Sequence, residues 1–502
     1  MMLNLNFLPI DPLSLFMLFI VLILFPMVFL FSLAYVKRNY FRYFSVFFIT
    51  FLAMLGAVLA KDFLSFYIFL EVMIVGIYFL IIDNTKKESF PAGFKYILMM
   101  FIGGIFVLVA SLMLYNLTGT FSMAEISLLV PALPRQTLLP IFVLFTIGCL
   151  IEIGAVPFHV WLPDAHPVAP SPISALLSGV AIKIGAYALI RLIITLQMNN
   201  VILMWLGIIS MIFGVLLAMR QTNVKRLLAY SSISQMGYIL LGIGVGTGIG
   251  LGGAMFHILN HAIFKMLLFL CMGAVIFSTR EREFSRLGGL GKQMPVTFAA
   301  FCVGALAISG IPPFNGFASK ALISEAVAGN IYLKIALVLT AAGTFATFLK
   351  LYFHVFLGCR PKTLKKIKPA LFLMKFPLFM LALLSLLVGL FPNIVLTRLI
   401  EPIAKFNFTY HFWQPKLLVE TPLMILLGII FYYLGMKSGF MRLKGEDGAT
   451  YFSFDRFYVG LAVFVEKFSF ALRKFLARDL NVYLRWIFLT LVLLLAFFWV
   501  VI

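Results

Sequence analysis

Gly253–Phe277 reads GAMFHILNHAIFKMLLFLCMGAVIF. The run is apolar and longer than the roughly 20 helical residues needed to cross lipid. Yet it carries His257, His261 and Lys265 at a spacing of four, which places all three on one helical face. A spanning helix with a titratable stripe is the unit from which the rest of the sequence is read.

The surrounding chain is of the same kind. Of 502 residues, 63% are hydrophobic and 11% charged, with mean hydropathy +1.09. A soluble domain would carry charge at roughly a quarter of its positions, so a soluble enzyme is excluded. The period-two alternation of outer-membrane strands is absent, and the fold class is all-α membrane protein. Hydropathy predicts about fourteen transmembrane helices. They fall near 12–35, 41–60, 62–83, 93–116, 138–162, 172–195, 201–220, 225–246, 253–277, 295–328, 331–357, 375–396, 421–440 and 486–502. Pro157 interrupts the fifth, and Pro312–Pro313 interrupt the tenth. Proline removes an amide donor and clashes with the preceding turn, so both helices should be broken there.

The net charge of +21 is distributed as topology requires, not as nucleic-acid binding would. With the N-terminus outside, one face collects Lys37–Arg38–Arg42, Lys86–Lys87, Lys225–Arg226, Arg280–Arg286, Arg360–Lys368 and the stretch from Lys437 through 485. The opposite face holds scattered bases such as Lys61, Arg135, Arg398 and Lys416. The basic face is expected to be cytoplasmic and both termini outside. No Lys or Arg precedes the first apolar run, which is therefore expected to be a retained helix and not a cleaved signal. Over 451–480, Phe454, Phe457, Leu461, Phe464, Phe468, Leu472 and Phe475 alternate with basic residues. That pattern predicts an amphipathic helix along the membrane surface or a partner, or else an ordinary cytoplasmic helix.

Ionisable residues also sit where lipid would be expected. Glu71 is central in 62–83, Glu152 in 138–162 and Lys183 in 172–195, and Lys320 closely follows the second break. A charge at a helix centre costs roughly 2.5–3.5 kcal/mol on insertion scales, so such residues normally face the bundle interior. Singly, each could be a structural ion pair or a snorkelling side chain. Together, on separate helices, they point to a hydrated proton path. Burial narrows the gap in proton affinity between lysine and glutamate, histidine titrates near neutrality, and broken helices free backbone groups for water and ions. No cofactor or metal site is expected. His257 and His261 are followed by Lys265 and not by a carboxylate or thiolate. The four cysteines form no CxxC pair, and Gly248-x-Gly250-x-x-Gly253 follows no strand.

These motifs resemble the antiporter-like subunits of respiratory complex I, Mrp cation/proton antiporters and membrane-bound hydrogenase complexes. The resemblance rests on Val156–Arg191 (VPFHVWLPDAHPVAPSPISALLSGVAIKIGAYALIR), KRLLAYSSISQMGYILLG from Lys225, HILNHAIFKMLLFL from His257 and GIPPFNGFASK from Gly310, within roughly 10–400. It implies two inverted five-helix repeats, 41–195 and 201–357, each with a broken helix, after an N-terminal helix in 1–40. Flanking helices follow in 375–440, and 445–502 would hold the lateral amphipathic helix and last span. It implies a midplane proton path in which Glu71 tunes a neighbouring lysine, Lys183 is the central-axis lysine, His257, His261 and Lys265 are the relay, and Lys320 is the exit-side lysine.

The chain departs from the family pattern in two ways. Its Glu71 helix is the third and not the fifth, and Glu152 stands where a lysine is usual. Two carboxylates cannot compensate each other, so one is protonated or another base, Lys95 or Lys183, substitutes. The expected function is a proton- or sodium/proton-translocating subunit of a redox-driven complex of hydrogenase, sulfur-reductase or complex I type, in the cell (inner) membrane of a prokaryote. The chain would have no redox centre of its own; its partners would be antiporter-like and redox subunits, lipid, and H+ or Na+. The alternatives are an Mrp-type Na+/H+ antiporter subunit and a scaffold with an inactivated ion path.

Overall fold

The computed structural model describes residues 10–82, 87–362, 364, 367–406, 408, 410–413 and 415–441, with 458, 460, 463, 464, 466 and 467 beyond them. Residues 1–449 form one compact unit and 450–502 a second. Most of the amphipathic helix expected over 451–480, and all of the last span at 486–502, lie outside the described residues.

Among the described residues the secondary structure is helical, with two isolated β-bridges and no strand. Twelve of the described helices are long and apolar enough to cross a membrane. In order, the helices are α1 (Pro12–Tyr35), α2 (Tyr40–Leu59), α3 (Phe63–Ile81), α4 (Ser89–Thr118), the short α5 (Met123–Leu129), and α6 (Arg135–Ile153). They continue with α7 (Leu162–Val168), α8 (Ser171–Leu176), α9 (Ile182–Leu196), α10 (Ile202–Arg220), α11 (Val224–Gly244) and α12 (Gly248–Thr279). The last are α13 (Pro295–Ser309), α14 (Asn315–Ala326), α15 (Ile331–Leu351), α16 (Phe372–Leu390), the short α17 (Pro392–Val395) and α18 (Glu401–Ala404), and α19 (Pro415–Lys437). The expected span 295–328 is two pieces, α13 and α14, each shorter than a bilayer crossing. Expected span 138–162 likewise ends early, at Ile153.

Both interruptions have the same local chemistry. Gly154 (φ +70°) and Gly310 (φ +81°) adopt the left-handed conformation that only glycine reaches without cost. Gly154 and Ala155 N–H groups bond the Ile151 and Leu150 carbonyls, and Gly310 and Ile311 bond Ala307 and Leu306, all at 3.0–3.1 Å. Cis bonds follow at Val156–Pro157 and Pro312–Pro313. A second feature also occurs twice. Asp62 caps α3 and bridges Ser122, while Asn223 caps α11 and bridges Glu283.

Burial separates the core helices from the lipid-facing ones. The most apolar 18-residue stretches of Ser171–Leu196 and α11 are wholly buried, whereas those of α2 and α16 are 39% buried and that at the end of α19 17%. Lipid tails are as apolar as leucine, so packing in this core depends on close backbone approach. Gly207 on α10 meets Gly237 on α11, Gly214 packs against the Ser234 backbone and Gly244 against the Met204 backbone; a Cβ on Gly237 would lie 2.5 Å from the Gly207 carbonyl oxygen. Gly237→Val should push α10 from α11 and cost about 1–3 kcal/mol. A clear fall in the detergent-solubilised melting temperature checks this.

Asp11 ties the start of α1 to α9. It caps the Leu13 and Ser14 amides and accepts two hydrogen bonds of 2.9 Å from Arg191, which also donates to Ser14 and Tyr187. Burial raises the Asp11 carboxyl, but Arg191 and the cap outweigh it and hold it below its ordinary value near 3.8. A depressed carboxyl contributes stability that is present above its unfolded pKa and lost as pH falls through its folded value. Asp11→Asn should therefore lower the melting temperature at pH 7. The gap between variant and wild type should close as pH drops below about 4, which a thermal-shift series over pH measures.

Candidate functional site

The buried lysines are held in one way. Each donates to backbone carbonyls, Lys183 and Lys320 where a helix is widened or broken and Lys265 within α11. Lys320, on the helix after the second break, reaches the Ile308 carbonyl at 2.7 Å, in the last turn before it. Lys183 follows a π-helical turn, Leu177–Ala181, and its ammonium bonds the Ser178 carbonyl of that turn. Lys265 bonds the Leu228 carbonyl at 2.6 Å and the Ser231 hydroxyl. A carbonyl accepts from an ammonium and, more weakly, from a neutral amine, so none of these bonds requires a fixed charge.

The order of contacts runs through the core. Ser178 Oγ meets Ser232 Oγ on α11 at 2.8 Å; beside it Ser231 holds Lys265 on α12. One turn up α12, His261 is fully buried and neither ring nitrogen has a protein partner. Its ring stacks parallel to His257, with centroids 6.2 Å apart. His257 Nε2 meets Gln235 Oε1 at 3.1 Å and Nδ1 meets Ser319 Oγ at 2.9 Å. With the amide oxygen accepting, Nε2 carries hydrogen. Nδ1 can then accept from the serine hydroxyl or, once protonated, donate to its oxygen. His257 can therefore gain and lose a proton with both contacts kept. Ser319 adjoins Lys320, whose ammonium lies 4.8 Å from the Tyr238 ring centroid beside a cavity of about 90 Å³ that Glu420 also lines.

Lys183, His257, His261, Lys265 and Lys320 thus fall along one polar line; Glu71 and Glu152 form a separate pair. Glu71 hydrogen-bonds Tyr67 and packs so tightly on α4 that a Cβ on Gly104 would collide with its Oε1. Glu152 is buried against Gly185 on α9 and lies within electrostatic reach of Glu71 and of the buried Tyr96. Among the described residues no base stands within 4 Å of either carboxylate. Lys95 pairs with Asp164 at 2.7 Å and Lys183 is engaged at Ser178, so neither takes the role of Glu152's partner.

Several polar residues of the core are not evident from sequence. Lys225, a loop base by its place in the hydropathy profile, is 3% exposed and donates to Ala169 at 2.6 Å; Lys350 is buried and donates to Met219 and Gln221. His166, within the quoted LPDAH segment, is fully buried, stacks on Phe269 at 4.6 Å and has no protein partner on either nitrogen. Ser231, Ser232 and Gln235 form a polar stripe on α11, and the run SSISQ inside an apolar span is the signal that could have found them. Among the described residues no cluster of three or more His, Cys, Asp or Glu could hold a metal.

A multi-span membrane protein with two broken helices and a buried line of lysines and histidines defines a class: the antiporter-like membrane subunits. The chain belongs to the NADH:quinone oxidoreductase/Mrp antiporter transmembrane family, whose pattern it matches over residues 60–349. It is 35% identical over 387 residues to hydrogenase-4 component B of Escherichia coli strain K12, covering 70% of this chain and 57% of that one. It is 31% identical over 363 residues to a subunit of the Na(+)/H(+) antiporter of Alkalihalophilus pseudofirmus, covering 70% and 73%. The chain thus spans little more than half of some curated relatives. In fold it is similar to a chain of the membrane-bound sulfane sulfur reductase, an archaeal respiratory membrane complex. That match has TM-score 0.81 and 27% identity, covering 97% of this chain and 88% of that one. A chain of the Mrp complex from Dietzia sp. DQ12-45-1b matches at TM-score 0.71 and 24% identity, covering 81% and 86%.

Gly104→Ala should displace the Glu71 carboxylate without filling any other space. If Glu71 takes part in transport, ion flux in proteoliposomes falls several-fold while the melting temperature moves little.

Proposed function

We propose that the chain is a proton-translocating, antiporter-like subunit of a redox-driven membrane complex of hydrogenase, sulfur-reductase or complex I type. The observation that carries this reading is the polar series of two contact chains, Lys183–Ser178–Ser232/Ser231–Lys265 and His261–His257–Ser319/Lys320, set one turn apart on α12. Every member can hold or pass a proton, and the lysines rest on neutral carbonyls. A fixed carboxylate partner would bind the charged form and oppose proton release.

In this reading 41–195 and 201–357 are inverted repeats. Five crossings per repeat reverse orientation, and the paired breaks at Gly154 and Gly310 support the correspondence. The basic loops face the cytoplasm. Lys183, Lys265, His261 and His257 form the midplane relay and Lys320 the outlet. The carboxylate pair Glu71 and Glu152 sits where the first repeat would hold an acid–base pair, so ion preference or conduction is altered there. Redox partners carry the electrons, and this chain supplies the proton carriers. Coverage of nearly the whole chain by the match to the sulfane sulfur reductase supports the redox-driven reading. Similarity to the Alkalihalophilus antiporter protein over 73% of its length favours the second reading, an Mrp-type Na+/H+ antiporter subunit.

In proteoliposomes of the purified complex, Lys265→Ala and Lys320→Ala should each lower proton pumping by about tenfold or more, since a positioned acid–base group typically contributes 10²–10⁴-fold. Unchanged pumping would sink the relay. Glu152→Lys should restore a family-like pair with Glu71 and change flux or its sodium dependence; if neither changes, position 152 lies off the path. The subunit composition of the complex separates the redox reading from the antiporter one.

A further inference from the structure

On the side of the basic loops, a cavity of about 530 Å³ opens between the ends of α1, α3 and α12 and the start of α2. Lys37, Arg38, Arg42 and Arg280 line it, together with Tyr43 and Asn39. Among the described residues no carboxylate lines it and none of the four cations forms an ion pair. Lys37 and Arg280 approach the same Phe277 ring, at 5.1 and 5.8 Å from its centroid, so the fold concentrates like charges at one point. Basic residues scattered along loops would satisfy topology. Four of them gathered around one concavity repel each other unless an anion is shared between them.

The other wall is apolar. Val46, Leu80 and Phe79 line the cavity, and Phe79, in the last turn of the spanning helix α3, is 46% exposed. A free anion has no use for that wall, whereas a lipid uses both. We infer that this cavity binds the phosphate-bearing headgroup of an anionic phospholipid, with Lys37, Arg38, Arg42 and Arg280 around the phosphate and the chains laid against Phe79 and Val46. Guanidinium forks match phosphate oxygens two at a time, and basic pockets between membrane helices commonly take such headgroups. The site is distinct from the proton line and does not depend on the translocation reading.

The purified complex, delipidated in detergent and titrated with phosphatidylglycerol or phosphatidylcholine, is read by native mass spectrometry. Wild type should retain phosphatidylglycerol in preference to phosphatidylcholine. Arg38→Gln/Arg42→Gln should weaken it by about 30-fold, each basic side chain near an anionic lipid being worth roughly fivefold. Lys292→Gln, an exposed base outside the cavity, should leave retention unchanged. Equal retention of the two lipids, or no loss in the double variant, overturns the proposal. So does full displacement of the lipid by millimolar inorganic phosphate, which would mark a free-anion site, or cross-linking of Arg38 to an acidic partner protein in the lipid-free complex. Should the double variant fail to assemble, Arg280→Gln alone is read the same way, with about fivefold expected.

Discussion

The constraint on which this structure depends is that hydrocarbon offers no water to a polar group, so every buried donor must be met from within. For its buried lysines the chain meets it with backbone carbonyls. Lys183, Lys225, Lys265, Lys320 and Lys350 all donate to main-chain oxygens. All but the Leu228 oxygen, which lies inside α11, are near helix C-terminal ends, a π turn or a break, where the helical ladder leaves acceptors over. The irregular backbone is therefore the counterpart of the buried cations, and each would be costly without the other.

Using carbonyls and not carboxylates has a functional consequence. An ion pair buried in low dielectric holds both charges in place, and losing one leaves the other uncompensated. A lysine on a carbonyl changes protonation with its hydrogen bond intact, and His257 between Ser319 and Gln235 does the same by reversing one hydroxyl. The line from Lys183 to Lys320 is built from such reversible contacts. The Glu71–Glu152 pair differs in kind, because two acceptor-only carboxylates have nothing to exchange except a proton or a cation between them.

Packing places these groups. The glycines of α10 and α11 bring backbones together and leave the opposite face of α11 for Ser231, Ser232 and Gln235, which connect Lys183, Lys265 and His257. Glycine against Glu71 and glycine against Glu152 serve the carboxylates likewise, holding each side chain against a neighbouring backbone.

Much of this was legible in one dimension, because lipid imposes a long apolar run, a count of crossings and a sidedness of charge on any chain that spans it. The spans, the breaks at Pro157 and Pro312–Pro313, and the titratable face His257–His261–Lys265 follow from spacing and proline chemistry alone. Tertiary structure alone decided which partner each group takes. Lys225 looked like a loop base and is buried; Lys95 looked free to serve Glu152 and is bound to Asp164. The serine stripe of α11 gained meaning only when the π turn after α8 and helix α12 came against it. Residue type and period report which face is polar, while contacts between helices far apart in sequence depend on packing, which no local pattern encodes.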